Sequence, residues 1–198
     1  MCIRDSTVPL PPYVHEGLAD EERYQTVYAR RPGSAAAPTA GLHFTPELIA
    51  ELEANGIETA MVTLDVGLDT FRPITAGDPS GHVMHGERCE VPPETAVKVA
   101  RCKGRIVAVG TTTVRTLESL SVGPRHVQAG QTDTKLFITP GYDFRTVDAM
   151  FTNFHLPRTT MLLMVSALAS PEAVQAAYRE AVDHRYRFLS FGDSMLIL

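Results

Sequence analysis

The sequence has few cysteines and no long apolar run. Cysteine occurs three times, at Cys2, Cys89 and Cys102. An odd number with no close pair fits neither a disulfide framework nor a zinc knuckle, so a reducing compartment is favoured. The best candidate for a membrane helix, residues 161–169, is only half as long as the roughly 18 apolar residues that such a helix needs.

The start of the chain lacks the apolar core of a secretory signal. Residues 1–6 include Arg4 and Asp5 and contain no apolar stretch. Nothing in this segment directs the chain out of the cytoplasm. We therefore predict a cytoplasmic protein with no membrane partner.

Positive charge is not in excess either. The chain has 18 Lys and Arg against 23 Asp and Glu, a net charge of -5. Non-specific affinity for nucleic acid comes from basic side chains, so this balance argues against a general polyanion binder. An RNA partner would need a local basic patch. The densest basic positions are Arg30 with Arg31, and Arg101 with Lys103 and Arg105; either can contact phosphates, although such pairs are more often solvated surface.

Helix and strand patterns alternate along the 198 residues, of which 44% are hydrophobic, enough for one core and one domain. We predict helices over 20–30, 46–54, 93–102, 111–120, 159–169 and 171–184. Strands are predicted over 57–64, 87–91, 106–109, 136–138, 147–151 and 194–198, with a long polar loop between the first two. This alternation predicts a layered α/β domain whose sheet is largely parallel.

The sharpest signal for a ligand site is the turn after strand 106–109. Gly110 leads into Thr111, Thr112 and Thr113 at a helix start, where backbone N–H groups have no partner within the helix. These donors and the hydroxyls suit a carboxylate, a phosphate or ribose oxygens. The threonines can equally well serve only to cap the helix.

Two histidines stand in polar segments at other element boundaries. His43 follows the small residues of 37–41 just before a helix, where a neutral imidazole can act as general base or hydrogen-bond donor. A histidine that merely fills a polar pocket is the other interpretation. His155 lies in segment 152–157, where a strand ends and a helix begins. In parallel sheets ligands bind at this edge.

No metal site is predicted. His82 and His85 have a spacing that suits a metal, but no cysteine or third histidine accompanies them. A surface or loop role is the safer interpretation of this pair.

A series of long motifs identifies a family. They are PLPPY from Pro9, ERYQTVYA from Glu22, AAPTAGLHF from Ala36, VGTTTVRTLES from Val109, LFITPGY from Leu136, VDAMFTNFHLP from Val147 and YRFLSFGD from Tyr186. Over nearly all of residues 9–198, the sequence resembles the S-adenosylmethionine:tRNA ribosyltransferase-isomerases. Chance matching of so many motifs in one order is negligible.

The resemblance implies a three-layer α/β/α domain, accompanied in full-length members by a smaller β-barrel domain. We expect the sheet to be mostly parallel. Most of the barrel belongs to sequence before PLPPY, which is absent here, so the chain is expected to be a fragment. Residues 1–8 are expected to be a foreign or truncated start, and residues 9–198 the α/β domain.

The resemblance also implies a reaction. S-adenosylmethionine donates a ribosyl group, which is transferred and isomerised on 7-aminomethyl-7-deazaguanine at the tRNA wobble position. Adenine and methionine are released, and the product is epoxyqueuosine. S-adenosylmethionine and tRNA are therefore the expected partners, no metal or other cofactor is implied, and we expect a monomer.

Motif membership and side-chain chemistry together suggest site residues. His43 and His155 are the candidates for proton transfer. Residues 110–113 and Arg115 are expected around the sulfonium donor or a tRNA phosphate, and Glu118 and Asp193 as hydrogen-bond acceptors. The full set of expected substrate-binding residues is Thr39, Gly41, Gly110, Thr111, Thr112, Thr113, Arg115, Glu118, Asn153 and Asp193. We expect the polar turns to converge into one pocket.

Two positions depart from the family pattern. Asp65 stands where a histidine is expected and Asp69 where many members have glycine. A non-catalytic tRNA-binding fragment is the main alternative function, and the acidic balance argues against it. A methyltransferase would carry a glycine-rich first turn, which Gly110 and its threonines do not match.

Overall fold

The computed structural model describes residues 10–11, 13–14, 20–30, 34, 36–65 and 86–198. The expected foreign start over 1–8, the departure at Asp69 and the histidine pair at 82 and 85 lie outside these residues. The predictions made for them stay predictions.

The described residues form α-helices and strands in alternation. The α-helices are α1 (Pro46–Ala54), α2 (Pro93–Arg101), α3 (Thr111–Ser119), α4 (Thr160–Ala169) and α5 (Pro171–Asp183). The strands are β1 (Thr63–Asp65), β2 (Glu87–Val91), β3 (Val107–Val109), β4 (Ser121–Gly123), β5 (His126–Val127), β6 (Gly130–Thr134), β7 (Ala149–Asn153) and β8 (Ser194–Ile197). Short 3-10 helices cover Glu21–Tyr24 and Thr39–His43.

The helix ends follow their local sequence. Thr45 caps α1 by accepting a hydrogen bond from the N–H of Leu48 at 3.2 Å, and Pro46 occupies the first helical position. Ser170 separates α4 from α5 and caps α5 through the N–H of Ala173. Among the described residues no single helix is long and apolar enough to cross a membrane; α4 and α5 reach that threshold only together, and they are bent by 112° relative to each other.

The strands form three sheets. The first has the order β1-β2-β6 and is antiparallel throughout. The second has the order β3-β7-β8, in which β3 and β7 are parallel and β7 and β8 antiparallel. The third is the β4-β5 hairpin. The mixed α/β class is confirmed.

The predicted mostly parallel sheet is wrong for the described strands, because β3 with β7 is the one parallel pair among them. Strand direction depends on which distant strand a segment pairs with, and alternation along the chain does not determine that partner. β6 returns against β2, and β8 returns against β7 after the α4-α5 corner.

Several element predictions also need correction. The helix predicted over 20–30 is only the 3-10 turn Glu21–Tyr24. The strand predicted over 57–64 is reduced to β1, because the carbonyls of Thr59 and Met61 accept hydrogen bonds from Lys98 and Thr95 of α2. Segment 136–138 is not a strand, and strands β4, β5 and β6 were not predicted.

The core lies around α3. Val114 and Leu117 of α3 are buried, as are Val91 of β2 and Met150 of β7. These side chains belong to one apolar cluster, so α3 packs against both three-stranded sheets. The amino end of α3 thereby takes a defined position beside the carboxyl end of β7.

Candidate active site

The turn between β3 and α3 is held by its backbone. Gly110 donates its N–H to the carbonyl of Phe151 at 2.8 Å, which joins the turn to β7. Its φ of 88° and ψ of 149° are readily accessible only to glycine. No side chain of the described residues caps this helix start, and the Thr113 hydroxyl donates to the carbonyl of Val109 at 2.7 Å. The capping interpretation of the threonines is therefore not supported.

Asn153, at the end of β7, links two predicted residues. Its Nδ2 donates to Thr39 Oγ1 at 3.0 Å, and its Oδ1 lies 2.8 Å from His43 Nε2. Because the amide oxygen only accepts, His43 must carry its proton on Nε2. Nδ1 is then the basic nitrogen of the neutral ring. The edge of Phe151 supports the imidazole, with the ring centroids 5.6 Å apart.

His155 is buried in the turn after β7. Its Nε2 lies 2.9 Å from Thr152 Oγ1, and its backbone N–H donates to Tyr178 Oη at 2.8 Å. The Tyr178 hydroxyl in turn donates to the His155 carbonyl at 3.1 Å. Loss of hydration on burial lowers the pKa of His155 to about 4. At neutral pH the imidazole is uncharged, which suits hydrogen bonding better than proton uptake.

The three predicted segments meet at one cleft, which we call the polar chamber and which is open to solvent. Its walls come from the segment before α1, from the amino end of α3, from the turn after β7 and from α4. The lining residues are Ala37, Pro38, Thr39, Ala40, Gly110, Thr111, Thr112, Thr152, Asn153, His155 and Met161. Helix α3 begins at this chamber, so its positive end faces any negative or polar ligand group there.

A second, narrow cavity adjoins the first. We call it the Arg115 chamber; its lining residues are Thr111, Thr112, Arg115, Leu136, Phe137, Ile138, Thr160, Met161 and Met164. The two chambers share Thr111, Thr112 and Met161. The two cavities are therefore neighbours at the amino end of α3.

Two predicted residues have structural partners instead of facing the polar chamber. Both carboxylate oxygens of Glu118 accept hydrogen bonds at 2.9–3.2 Å, and the donors are the backbone N–H groups of Arg145, Thr146 and Val147 and the hydroxyl of Tyr142. Glu118 thus anchors the loop before β7 and is not positioned as a ligand acceptor.

Asp193 likewise closes a loop. Its Oδ2 accepts from the backbone N–H of Arg187 at 2.7 Å, and that hydrogen bond is the main cause that lowers the pKa of the Asp193 carboxyl. The N–H of Asp193 donates to the Arg187 carbonyl. Asp193 therefore stabilises the loop between α5 and β8.

Gly41 serves packing and does not line the polar chamber. A Cβ added at Gly41 would lie 2.0 Å from the Tyr28 hydroxyl oxygen and 2.8 Å from Thr26 Cγ2. The close neighbours of Gly41 are thus side chains of the protein, and the predicted contact with a ligand is not seen at this position. Thr113 also lies outside both linings, with its hydroxyl turned to the β3 carbonyl.

Three contributors were missed by the sequence analysis. Met161 separates the two chambers, Thr152 contacts His155, and Phe151 packs against His43. Thr152 belongs to the polar segment 152–157, whose place at the end of a strand predicts a ligand site. Met161 and Phe151 sit in apolar runs that predict only core packing, so no local pattern distinguishes them.

Comparison with known proteins agrees with these motifs. The sequence profile described as queuosine biosynthesis protein matches residues 3–197. The S-adenosylmethionine:tRNA ribosyltransferase-isomerase of Symbiobacterium thermophilum is 57% identical over 96% of this chain and 57% of its own length. The enzyme of that name from Moorella thermoacetica is 56% identical over the same shares. The chain thus spans little more than half the length of the curated relatives it matches.

A solved structure agrees as well. The S-adenosylmethionine tRNA ribosyltransferase of Thermotoga maritima superposes with a TM-score of 0.67 at 49% identity, covering 80% of this chain and 51% of that one. At 49% identity, the two proteins share sequence as well as fold. Since the profile match also runs through nearly all of the residues, the chain belongs to the queuosine biosynthesis protein family.

Proposed function

We propose that this chain supplies the donor-binding part of an S-adenosylmethionine:tRNA ribosyltransferase-isomerase. The complete enzyme would transfer and isomerise the ribosyl group of S-adenosylmethionine onto 7-aminomethyl-7-deazaguanine in tRNA, releasing adenine and methionine. The observation that carries this proposal is the hydrogen-bonded series His43, Asn153 and Thr39 at the edge of the polar chamber. These hydrogen bonds fix the tautomer of His43 and hold its ring next to the hydroxyl and backbone donors of the polar chamber.

The polar chamber and His43, which lies outside its lining and contacts Asn153 of that lining, together suit the needs of the reaction. Nδ1 of His43 is the candidate base for the acidified proton beside the sulfonium. Thr111 and Thr112, at the positive end of α3, are suited to hold ribose oxygens. His155, uncharged at neutral pH, is proposed as a hydrogen-bonding partner. S-adenosylmethionine is a substrate in this proposal, and no metal or other cofactor takes part.

The proposal extends to the substrate, the assembly and the domain organisation of the complete enzyme. We propose that the enzyme modifies the wobble position of tRNA, is a monomer and is cytoplasmic. Its α/β domain has three layers and is accompanied by a β-barrel domain. The identities to curated relatives support the tRNA substrate, since those relatives carry tRNA in their names.

The test measures adenine release. The chain is assayed alone and fused to the part of the Symbiobacterium relative that lies outside the match, with S-adenosylmethionine and tRNA that bears the deazaguanine. We expect adenine from the fusion at least, and a loss of about 100-fold or more in kcat for His43→Gln, the size typical of a lost general base. His155→Gln should also lower kcat strongly.

His184→Gln is the matched control, because His184 is exposed and pairs with Glu180 on the surface of α5. It should keep full activity. Near-normal turnover of both His43→Gln and His155→Gln would contradict the assigned roles. A gel shift of tRNA with no adenine from either form would favour the non-catalytic tRNA-binding fragment.

A further inference from the structure

The turn after β7 is held by a tyrosine of α5. The strand pairing of β7 ends at Asn153, so His155 lies beyond the ladder. Tyr178 Oη accepts a hydrogen bond from the His155 N–H at 2.8 Å and donates one to the His155 carbonyl at 3.1 Å. Buried backbone groups need such partners, and one hydroxyl, which can donate and accept, here pairs both.

The Tyr178 ring is fixed in turn by other aromatic rings. Its centroid lies 5.4 Å from that of Phe154 and 5.6 Å from that of Phe188, and both pairs are close to edge-to-face. Aromatic pairs favour this geometry. The carbonyl of Phe154 also accepts a hydrogen bond from the N–H of Leu189 at 3.0 Å. Helix α5 and the segment after it thus hold the turn at two successive residues, Phe154 and His155.

This support reaches the polar chamber through the imidazole of His155. The ring is buried, its Nε2 lies 2.9 Å from Thr152 Oγ1, and both residues line the chamber. Burial raises the pKa of Tyr178 to about 12, so its hydroxyl keeps its proton and can donate and accept at once. The lining does not include Tyr178. Any effect of Tyr178 on a ligand of the chamber therefore passes through the residues that it holds.

We infer that Tyr178 is a positioning residue for the proposed reaction, whose hydroxyl holds the backbone of His155 and thereby keeps the imidazole in its place in the polar chamber. This inference rests on the proposed function, in which His155 is a hydrogen-bonding partner of the substrate. The ring and the hydroxyl of Tyr178 have separate contacts, the ring with Phe154 and Phe188 and the hydroxyl with His155. Tyr178→Phe removes the hydroxyl and keeps the ring, so it separates the two roles.

The first experiment measures kcat and KM of Tyr178→Phe in the adenine-release assay, in the form of the protein, chain or fusion, that releases adenine. We expect kcat to fall about 10-fold, because a slightly misplaced catalytic group is costly, and KM for S-adenosylmethionine to change less than about twofold. A purely structural tyrosine would lower the folded fraction and leave kcat per folded molecule unchanged. That result, or a higher KM with unchanged kcat, would overturn the inference.

Tyr186→Phe is the matched control for loss of a tyrosine hydroxyl. The Tyr186 ring also packs against Phe154, with the centroids 5.9 Å apart, but its side chain is 48% exposed. The control should keep full activity. An equal fall of kcat in both variants would overturn the specific role of Tyr178.

The second experiment asks whether Tyr178 acts through the imidazole. His155→Gln and the double variant Y178F/H155Q are compared in the same assay. In the His155→Gln background, removal of the hydroxyl should lower kcat by less than about twofold, since groups that act as one unit have non-additive effects. An equal loss in both backgrounds would overturn the inference, because it would give Tyr178 a role independent of the His155 ring.

Two measurements on the chain itself need no turnover. In the wild type, the His155 amide should exchange its hydrogen slowly, because it donates to Tyr178. Rapid exchange would overturn the inference even where Tyr178→Phe does not fold. In folded Tyr178→Phe, the NMR signals of the His155 ring should shift, and in Tyr186→Phe they should not. Unshifted ring signals in Tyr178→Phe would contradict the positioning role.

These outcomes distinguish the inference from the proposed function. Adenine release by the wild type, together with an unchanged kcat of Tyr178→Phe, refutes the inference while the proposed function stands. If neither the chain nor the fusion releases adenine but the His155 ring signals shift in Tyr178→Phe, the proposed function fails. That result still supports Tyr178 as the residue that positions His155.

Discussion

Asn153 illustrates how single residues define the chemistry of the cleft. Its amide nitrogen is engaged by Thr39, so its oxygen faces His43 and selects the tautomer of that ring. His155 is only two residues further along the chain, yet burial gives it a different character, with a pKa near 4. The two histidines therefore differ in their surroundings: His43 Nε2 contacts the Asn153 amide oxygen, whereas the buried His155 ring is uncharged at neutral pH.

The burial of His155 predicts a pH dependence of stability. In the unfolded chain its imidazole binds a proton near the usual pKa of about 6.5. In the fold the pKa is lowered to about 4. The unfolded state therefore binds more protons between these values, and stability is complete above pH 6.5 and decreases as the pH falls towards 4. We expect a loss of up to about 3 kcal/mol from this group.

Urea unfolding at pH 7, 6, 5 and 4, followed by circular dichroism, measures this loss. Because other groups titrate over the same range, the wild-type chain is compared with His155→Gln. The variant should show a shallower decrease in the free energy of unfolding on acidification. Parallel pH profiles for the two proteins would show that the His155 ring is hydrated in the fold.

At the scale of elements, the β3-α3 turn determines where the cleft lies. The turn is tied to β7 by the Gly110 N–H, and β7 in turn ends at Asn153 in the chamber. The long insertion between β3 and β7, which holds α3 and strands β4 to β6, leaves these two strands as parallel neighbours. Their carboxyl ends consequently meet at one edge, where ligands bind in α/β sheets.

Gly110→Ala should destabilise the chain by about 1–3 kcal/mol, the typical cost of a residue in a strained backbone conformation. The φ of 88° is the cause, because a Cβ there would have only ordinary contacts, at 3.6 Å, with Ala40 and Thr112. Urea unfolding followed by circular dichroism gives the free energy. Gly104→Ala is the control, since nothing lies within 4 Å of its added Cβ. A loss no greater than that of the control would contradict the requirement for glycine.

At the scale of the whole molecule, α3 connects the two three-stranded sheets. Arg115 of α3 pairs with Glu87 of β2, and Val114 shares the apolar cluster with residues of β7. A three-stranded sheet needs a packed apolar face to be stable, and α3 packs against strands of both sheets. We therefore expect the sheets to unfold as one cooperative unit.

Val91→Ala tests this cooperativity from one sheet to the other. Val91 is fully buried in β2, and its truncation should lower the free energy of unfolding by about 2 kcal/mol. The free energy of opening, measured by hydrogen exchange, should then fall by the same amount at the slowest amides of β2 and of β7. Val97→Ala, at a position 61% exposed, should change neither. Faster exchange confined to β1, β2 and β6 would show that the sheets open separately.

The sequence predicted the local elements well wherever short-range chemistry decides them. Helix α1 begins at its threonine cap and proline and ends before Asn55, and α2, α3 and α5 lie within a residue of their predicted bounds. Predictions failed where the backbone found distant partners. Thr59 and Met61 bond to side chains of α2, so their segment is not a strand, and β6 forms by pairing with β2 from sequence without an apolar pattern.

The sequence alone determined the class of the fold, the family and the segments that carry the polar residues, because caps, periodicity and motifs are local properties of a chain. Tertiary structure alone decided which of those residues face the cleft. Thr39, Thr112 and His155 line it, whereas Glu118 and Asp193 hold loops. The sequence does not distinguish a carboxylate that binds backbone N–H groups from one that binds a ligand. The donors to Glu118 lie 27–29 residues further along the chain, and only the fold brings them close.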